Sequence, residues 1–230
     1  MTDPTNPSGA LPGDPRHGLS EEALRSYYAA RAPCWMVHCR LGSGGGPRRE
    51  AALAPHLAYL RAHRASIRFA GPLLEADGVT ASGSLTLIDL PDRAAAEAFT
   101  ANEPYNLNGA FDRIEIRRWS SSMTLRQHDY PRTPGWQQYA ITAIDGPDGA
   151  ARRAAVNAAH HAFQAGVMDR YIARGPLLSD DGARILGSFM LVEFADRAAL
   201  DAFWAAEPLH AGGVFESAPI ERWRYGNAIG

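Results

Sequence analysis

The feature that most constrains this chain is that it is written twice. Gly71-Pro72-Leu73-Leu74 returns as Gly175-Pro176-Leu177-Leu178, and the same displacement carries Arg48-Arg49 onto Arg152-Arg153 and His56 onto His160. It also carries Asp77-Gly78 onto Asp181-Gly182, Gly83-Ser84 onto Gly187-Ser188, and Asp92-Arg93-Ala94-Ala95 onto Asp196-Arg197-Ala198-Ala199. Phe99, Glu103-Pro104, Gly109, Phe111 and Trp119 meet Phe203, Glu207-Pro208, Gly213, Phe215 and Trp223. No gap is needed anywhere, so one folding unit has been duplicated. At 230 residues and 46% hydrophobic, the chain can bury a core in each of two such units.

Each copy reads as the same string of elements. Cys34 to Arg40 and Gln138 to Ile144 are short β-prone runs bounded by Gly and Pro. Arg48 to Arg64 and Ala151 to Met168 are Ala-rich and helical, with Leu53, Leu57 and Leu60 forming one stripe. Ile67 to Ala70 and Tyr171 to Ala173 are strands ending at the Gly-Pro. Asp-Gly turns then lead into strands Ser84 to Leu90 and Ser188 to Phe194, as in a hairpin. Asp92 and Asp196 cap helices that Pro104 and Pro208 stop, and strands Phe111 to Trp119 and Val214 to Trp223 close the copies.

The order β-α-β-β-α-β, twice, predicts an α+β protein of two ferredoxin-like units. Each such sheet leaves one face uncovered, so the units are expected to pack sheet to sheet as an intramolecular pseudo-dimer. Pairing of that pseudo-dimer with a further copy, as a homodimer, is left open. The expected boundaries are 32–119 and 136–226 for the two domains, joined by a polar, Pro-containing linker at 120–135. Residues 19–31 read as an extra helix capped by Ser20. Residues 1–18, rich in Pro and Gly and without the apolar core of a signal peptide, read as a disordered lead-in.

Composition excludes several partners. Lys+Arg 23 against Asp+Glu 25 gives a formal net charge of -2, without the basic footprint that nucleic acid requires. The Arg48-Arg49 and Arg152-Arg153 pairs read as solvated helix faces. No apolar run is long enough to cross a bilayer. The two cysteines, Cys34 and Cys39, lie at odd spacing in one strand and cannot pair there. They are expected to be buried thiols of a cytoplasmic protein.

The helix histidine (PHLAYL, AHHAF), the GPLL of the second strand, the Gly-Ser of the third, and an acid-Pro dipeptide followed by Gly (EPYNLNGAF, EPLHAGGVF) together carry a resemblance. Each copy resembles the YCII-related domain, of the dimeric α+β barrel group, over residues 34 to 119 and 138 to 223. The resemblance implies a ferredoxin-like domain that pairs through its sheet and carries a catalytic histidine and acid. One branch is similar to a dehydrochlorinase that performs a cofactor-free elimination on a chlorinated hydroxyhydroquinone. The family commonly has Asp-Pro where this chain has Glu103-Pro104 and Glu207-Pro208.

Histidine takes and gives protons near neutrality, and a carboxylate on its other nitrogen fixes the tautomer. His56 with Glu103, and His160 with Glu207, are therefore the candidate catalytic pairs; the competing role for either histidine is a half-buried polar residue satisfied by a carbonyl. Ser84 and Ser188 are candidate pocket hydroxyls, Arg174 a candidate anion contact, and Tyr105, Asn106 and His210 candidate loop groups of the pocket. Three histidines and an acid gather in the second copy, which favours it as the working site. A His160, Glu207, His210 metal set is the rival chemistry, but no HxH or HExxH spacing supports it, so no metal is expected. No phosphate-binding glycine loop is present, and no cofactor is expected. The expected function is a lyase- or isomerase-like enzyme of secondary or degradative metabolism acting on a small oxygenated or aromatic molecule. The alternative is a non-catalytic protein that binds or sequesters such a molecule in the same cleft.

Overall fold

A computed structural model describes residues 5–229. The chain forms two compact units whose edges do not follow the order of the chain. One unit takes residues through Arg31 together with Thr133–Ile220; the other takes Ala32–Arg132 together with the residues from Glu221 onward.

Helix α1 (Glu21–Ala30) starts where expected, with the Ser20 hydroxyl accepting the Ala23 N–H. The unit built on the first copy then runs β1 (Cys34–Leu41), α2 (Gly45–Ala51), α3 (Leu53–Ala62), β2 (Ile67–Leu74), β3 (Ala81–Asp89), α4 (Arg93–Ala101), α5 (Pro104–Leu107) and β4 (Phe111–Trp119). Its antiparallel sheet has the order β4-β1-β3-β2. Trp35, Val37 and Cys39 of β1 meet Leu60 of α3 and Ala96 and Phe99 of α4 in one buried cluster, which places the helices over one sheet face. Asp92 caps α4 through the Ala95 N–H.

Two expectations change here. The helix expected over Arg48 to Arg64 is two helices joined at Ala52. Pro55 has no N–H to offer the Ala51 carbonyl, which breaks the ladder there. The strand expected to stop at the Gly-Pro runs straight through it, with Pro72 opposite Ser84. Within a strand residue the nitrogen and carbonyl point the same way, and the Pro72 carbonyl accepts the Arg224 N–H on the side away from β3. The missing N–H therefore costs the β2–β3 ladder nothing.

The second copy gives β5 (Gln137–Asp145), α6 (Gly149–Gly166), a 3₁₀ turn (Met168–Arg170), β6 (Tyr171–Leu178), β7 (Ile185–Phe194), α7 (Arg197–Ala206), α8 (Pro208–Ala211) and β8 (Phe215–Ser217). Strands pair as β8-β5-β7-β6, again antiparallel. Ala159 replaces Pro55 at the matching position, and α6 runs unbroken. The closing strand expected over Val214 to Trp223 is interrupted at Pro219, where the first copy has Glu115 inside an unbroken β4. Beyond that break β9 (Ile220–Trp223) pairs Trp223 with Leu73 and Arg222 with Leu74 of β2.

Both Asp-Gly turns form as expected. Asp77 accepts the Val79 and Thr80 N–H groups and Asp181 that of Ala183, while Gly78 and Gly182 take φ of 71° and 76°. The linker is polar but fastened. The Gln127 N–H donates to the Arg68 carbonyl, its Oε1 accepts the Ala70 N–H, and its Nε2 donates to the Gly226 carbonyl.

Of the segment expected to be disordered, residues 1–4 lie outside the described residues; the rest is a run of turns packed on α6. Gly9, with φ 64°, sits so close to Asn157 and Ala158 that a Cβ would lie 2.6 Å from their backbone. Asn157 donates to the Pro7 carbonyl, and Arg16 pairs with Asp14 and bonds the Tyr28 hydroxyl. The Pro/Gly content that suggested disorder supplies these turns. No described helix is long and apolar enough to cross a membrane.

Candidate functional site

In the first-copy unit the site is assembled by two helix ends. Glu103 is the N-cap of α5, and its Oε2 accepts the N–H groups of Tyr105 and Asn106 at 3.1 and 3.2 Å. Pro104 at N1 needs no partner for a nitrogen that bears no hydrogen. The other carboxylate oxygen, Oε1, lies 2.5 Å from Nδ1 of His56 on α3. A glutamate is long enough to reach from the cap to the neighbouring helix, which accounts for Glu-Pro in both copies. The His56 ring stacks on Tyr105 with centroids 3.7 Å apart and planes 11° from parallel.

This pair opens on a small cleft lined by His56, Glu103, Ser84, Thr86 and Thr100 with Val37, Cys39, Leu60, Phe99 and Phe111. The wall combines apolar side chains with a few polar groups, as small-molecule sites do. Burial pushes the Cys39 thiol up to about 12, so it lines the cleft as a neutral apolar surface rather than a nucleophile. Ser84 accepts a hydrogen bond from Arg49 at 2.8 Å.

The second-copy unit repeats the pair in a different setting. Glu207 caps α8, accepts the His210 N–H at 2.8 Å, and bonds Nδ1 of His160. At positions matching the cleft-lining Thr86 and Thr100 stand Met190 and Trp204, both buried. The Trp204 ring stacks on His210 and Phe215. Two bulky apolar side chains thus stand where the first copy has two threonines.

The expected residues thus divide. His56 with Glu103 and His160 with Glu207 come together, and Ser84 lines the cleft. Ser188 accepts from Arg153 at 3.0 Å. Tyr105 is wholly buried beneath His56. Asn106 donates its carboxamide to the Thr100 carbonyl, closing the end of α4. The His210 ring lies on Trp204 and only its backbone meets Glu207, so the His160, Glu207, His210 metal set does not assemble. Among the described residues no group of three or more His, Cys, Asp or Glu could hold a metal ion. Arg174 bonds Gln164 at 2.6 Å and lies over the Tyr171 ring.

Two residues escaped the sequence reading. Arg49 and Arg153 turn inward to Ser84 and Ser188, and Arg153 is only 8% exposed, whereas Arg48 and Arg152 face solvent. The signal was present: an arginine and a Gly-Ser kept at one spacing in both copies.

His161, beside the second pair, is held down to about 4, first by burial and then by the charges of Arg16, His160 and Arg174. The unfolded chain binds this proton near pH 6.5, before the folded chain does, so the stabilisation is full above pH 6.5 and declines as pH falls toward 4. With partial solvent screening the loss is on the order of 1 kcal/mol. Urea midpoints at pH 7.5 and pH 4.5 should therefore differ more for the wild-type protein than for His161→Gln. Asp14, held near 2 by its Arg16 hydrogen bond, titrates below this window.

The YCII-related domain matches residues 34–120 and again 137–224. No curated protein matches the chain. Among solved structures, 5-chloro-2-hydroxyhydroquinone dehydrochlorinase from Burkholderia phenoliruptrix AC1100 is 26% identical over 38% of this chain and 93% of its own, with a TM-score of 0.36. A chlorite dismutase from Candidatus Nitrospira defluvii shares the fold at 9% identity, over 85% of this chain and 92% of its own, with a TM-score of 0.58. A heme-binding protein from Thermus thermophilus does so at 12%, over 86% and 92%, with a TM-score of 0.55. The last two likenesses are of fold alone. With both copies matched nearly end to end, the chain belongs to the YCII-related domain family and carries that domain twice.

Proposed function

We propose that the first copy's cleft is a catalytic site for a small oxygenated or aromatic molecule, with His56 as general base and Glu103 as the residue that orients it. The observation that carries this reading is the 2.5 Å His56–Glu103 hydrogen bond at the wall of the cleft. With Nδ1–H donated to the carboxylate, the lone pair of His56 sits on Nε2, ready to accept a proton. The Glu103 carboxylate then stabilises the imidazolium that forms. Return of the proton to another atom gives isomerisation; departure of a leaving group gives elimination, and neither route calls on a bound cofactor. The second pair, with Trp204 and Met190 beside it, serves in this reading as scaffold. A protein that only holds such a molecule would use the same cleft.

The test is proton exchange and turnover in D₂O, followed by ¹H NMR, over a panel of small hydroxylated aromatics and hydroxyquinones. His56→Ala should lower the rate on any active compound by about 10²-fold or more, while His160→Ala leaves it within a few-fold. Wild-type rates in His56→Ala would remove the acid–base role. Binding without exchange or turnover, unaffected by His56→Ala, would mark a binding protein.

A further inference from the structure

The two units treat one arginine differently. In the second-copy unit Arg153 has a carboxylate partner: its Nε and Nη2 donate to the two oxygens of Asp145 at 2.5 and 2.6 Å, and Nη2 also reaches Ser188. In the first-copy unit the matching Arg49 keeps the serine contact, donating to Ser84 Oγ at 2.8 Å and to the Gly83 carbonyl at 3.2 Å. The carboxylate is gone: Leu41 stands where Asp145 does. Among the described residues no acid pairs with Arg49. Glu103, which acts on it at longer range, is engaged by His56 and two backbone N–H groups. The guanidinium instead lies over the Tyr105 ring, 4.5 Å from its centroid, and Arg224 adds a second positive charge nearby. A half-buried guanidinium has five N–H donors and stays charged, so a site that removes its carboxylate leaves donors for an anion.

We propose that Arg49 is the anion contact of the first copy's cleft, and that the substrate is a small planar organic acid or phenolate. This rests on the reading of that cleft as the substrate site. Ser84, both a cleft wall and an Arg49 partner, links the cation to the space where the molecule sits. There Arg49 would anchor an existing negative charge, or stabilise the enolate or phenolate that forms when His56 takes a proton. The second copy, whose arginine is neutralised internally by Asp145, offers no such contact.

Isothermal titration of the full chain with 2,5-dihydroxybenzoate and with its neutral carboxamide, 2,5-dihydroxybenzamide, tests this directly. Wild-type protein should bind the carboxylate about tenfold tighter or more. Arg49→Met should erase the preference. So should Leu41→Asp, which restores the internal partner with Arg49 still in place and so guards against a simple folding defect. Equal binding of both probes, binding of neither, or a preference that survives both substitutions would overturn the proposal. His56→Ala should keep the preference: if turnover also survives in that variant, the dyad reading fails while the Arg49 assignment stands on its own titration.

Discussion

Gly83→Ala and Gly187→Ala should each destabilise the protein by roughly 3 kcal/mol or more, read as a lowered urea midpoint. Neither glycine has positive φ; the reason is crowding. A Cβ at Gly83 would lie 2.1 Å from the Cys39 carbonyl oxygen, and one at Gly187 would lie 2.2 Å from that of Ala143. Both obstacles are backbone atoms of the paired central strand, so no side-chain rotation relieves them, and the ladder must open. Gly46 gives the contrast: it sits in α2, nothing lies within 4 Å of its would-be Cβ, and Gly46→Ala should be neutral or stabilising by up to about 1 kcal/mol. Loss of stability in Gly46→Ala comparable to that in Gly83→Ala would discredit the steric account.

The second large effect separates two residues that the sequence makes equivalent. Glu103→Gln and Glu207→Gln should each cost about 1–2 kcal/mol of stability, because each weakens a helix cap and a charge-assisted bond to histidine. Only Glu103→Gln should also lower turnover, by about 10²-fold. A glutamine whose carbonyl caps α5 turns its NH₂ toward His56 Nδ1 and forces the ring proton onto Nε2. The nitrogen that should take the substrate's proton is then already occupied. The measurement is kcat for both variants alongside their denaturation curves; equal kcat losses would mean that the two copies work alike.

The repeat, the Asp92 and Ser20 caps, the Asp-Gly hairpins and the two His–Glu pairs were legible because each depends on local chemistry or on a comparison within the chain. The Pro55 break and the Pro219 interruption were legible in principle, since a proline whose N–H a ladder needs breaks that ladder; Pro72 differs because its nitrogen faces away from β3. The gathering of histidines favours the second copy, whereas the cleft described above borders the first copy's pair. Thr86 and Thr100 line it where the second copy has Met190 and Trp204, a difference whose place beside the cleft no periodicity announces. The inward turn of Arg49 and Arg153 was missed for a related reason: paired arginines on a helix look solvated until the strand serine opposite them is known. The crossing of β9 to the β2 edge left no periodic trace, because a β-prone run reads the same on either sheet.

That crossing bears on how the protein is made. Residues from Glu221 onward belong to the unit of the first copy, where Gly71 leaves room for the Arg224 backbone and Gly226 bonds Ala70. A ribosome delivers those residues only after Thr133–Ile220 of the other unit, well after the stretch of their own unit that ends at Arg132. The body of the first-copy unit is therefore made well before the strand that borders its β2 edge, and its cleft-bearing domain must wait, one edge open, until the second copy has been translated.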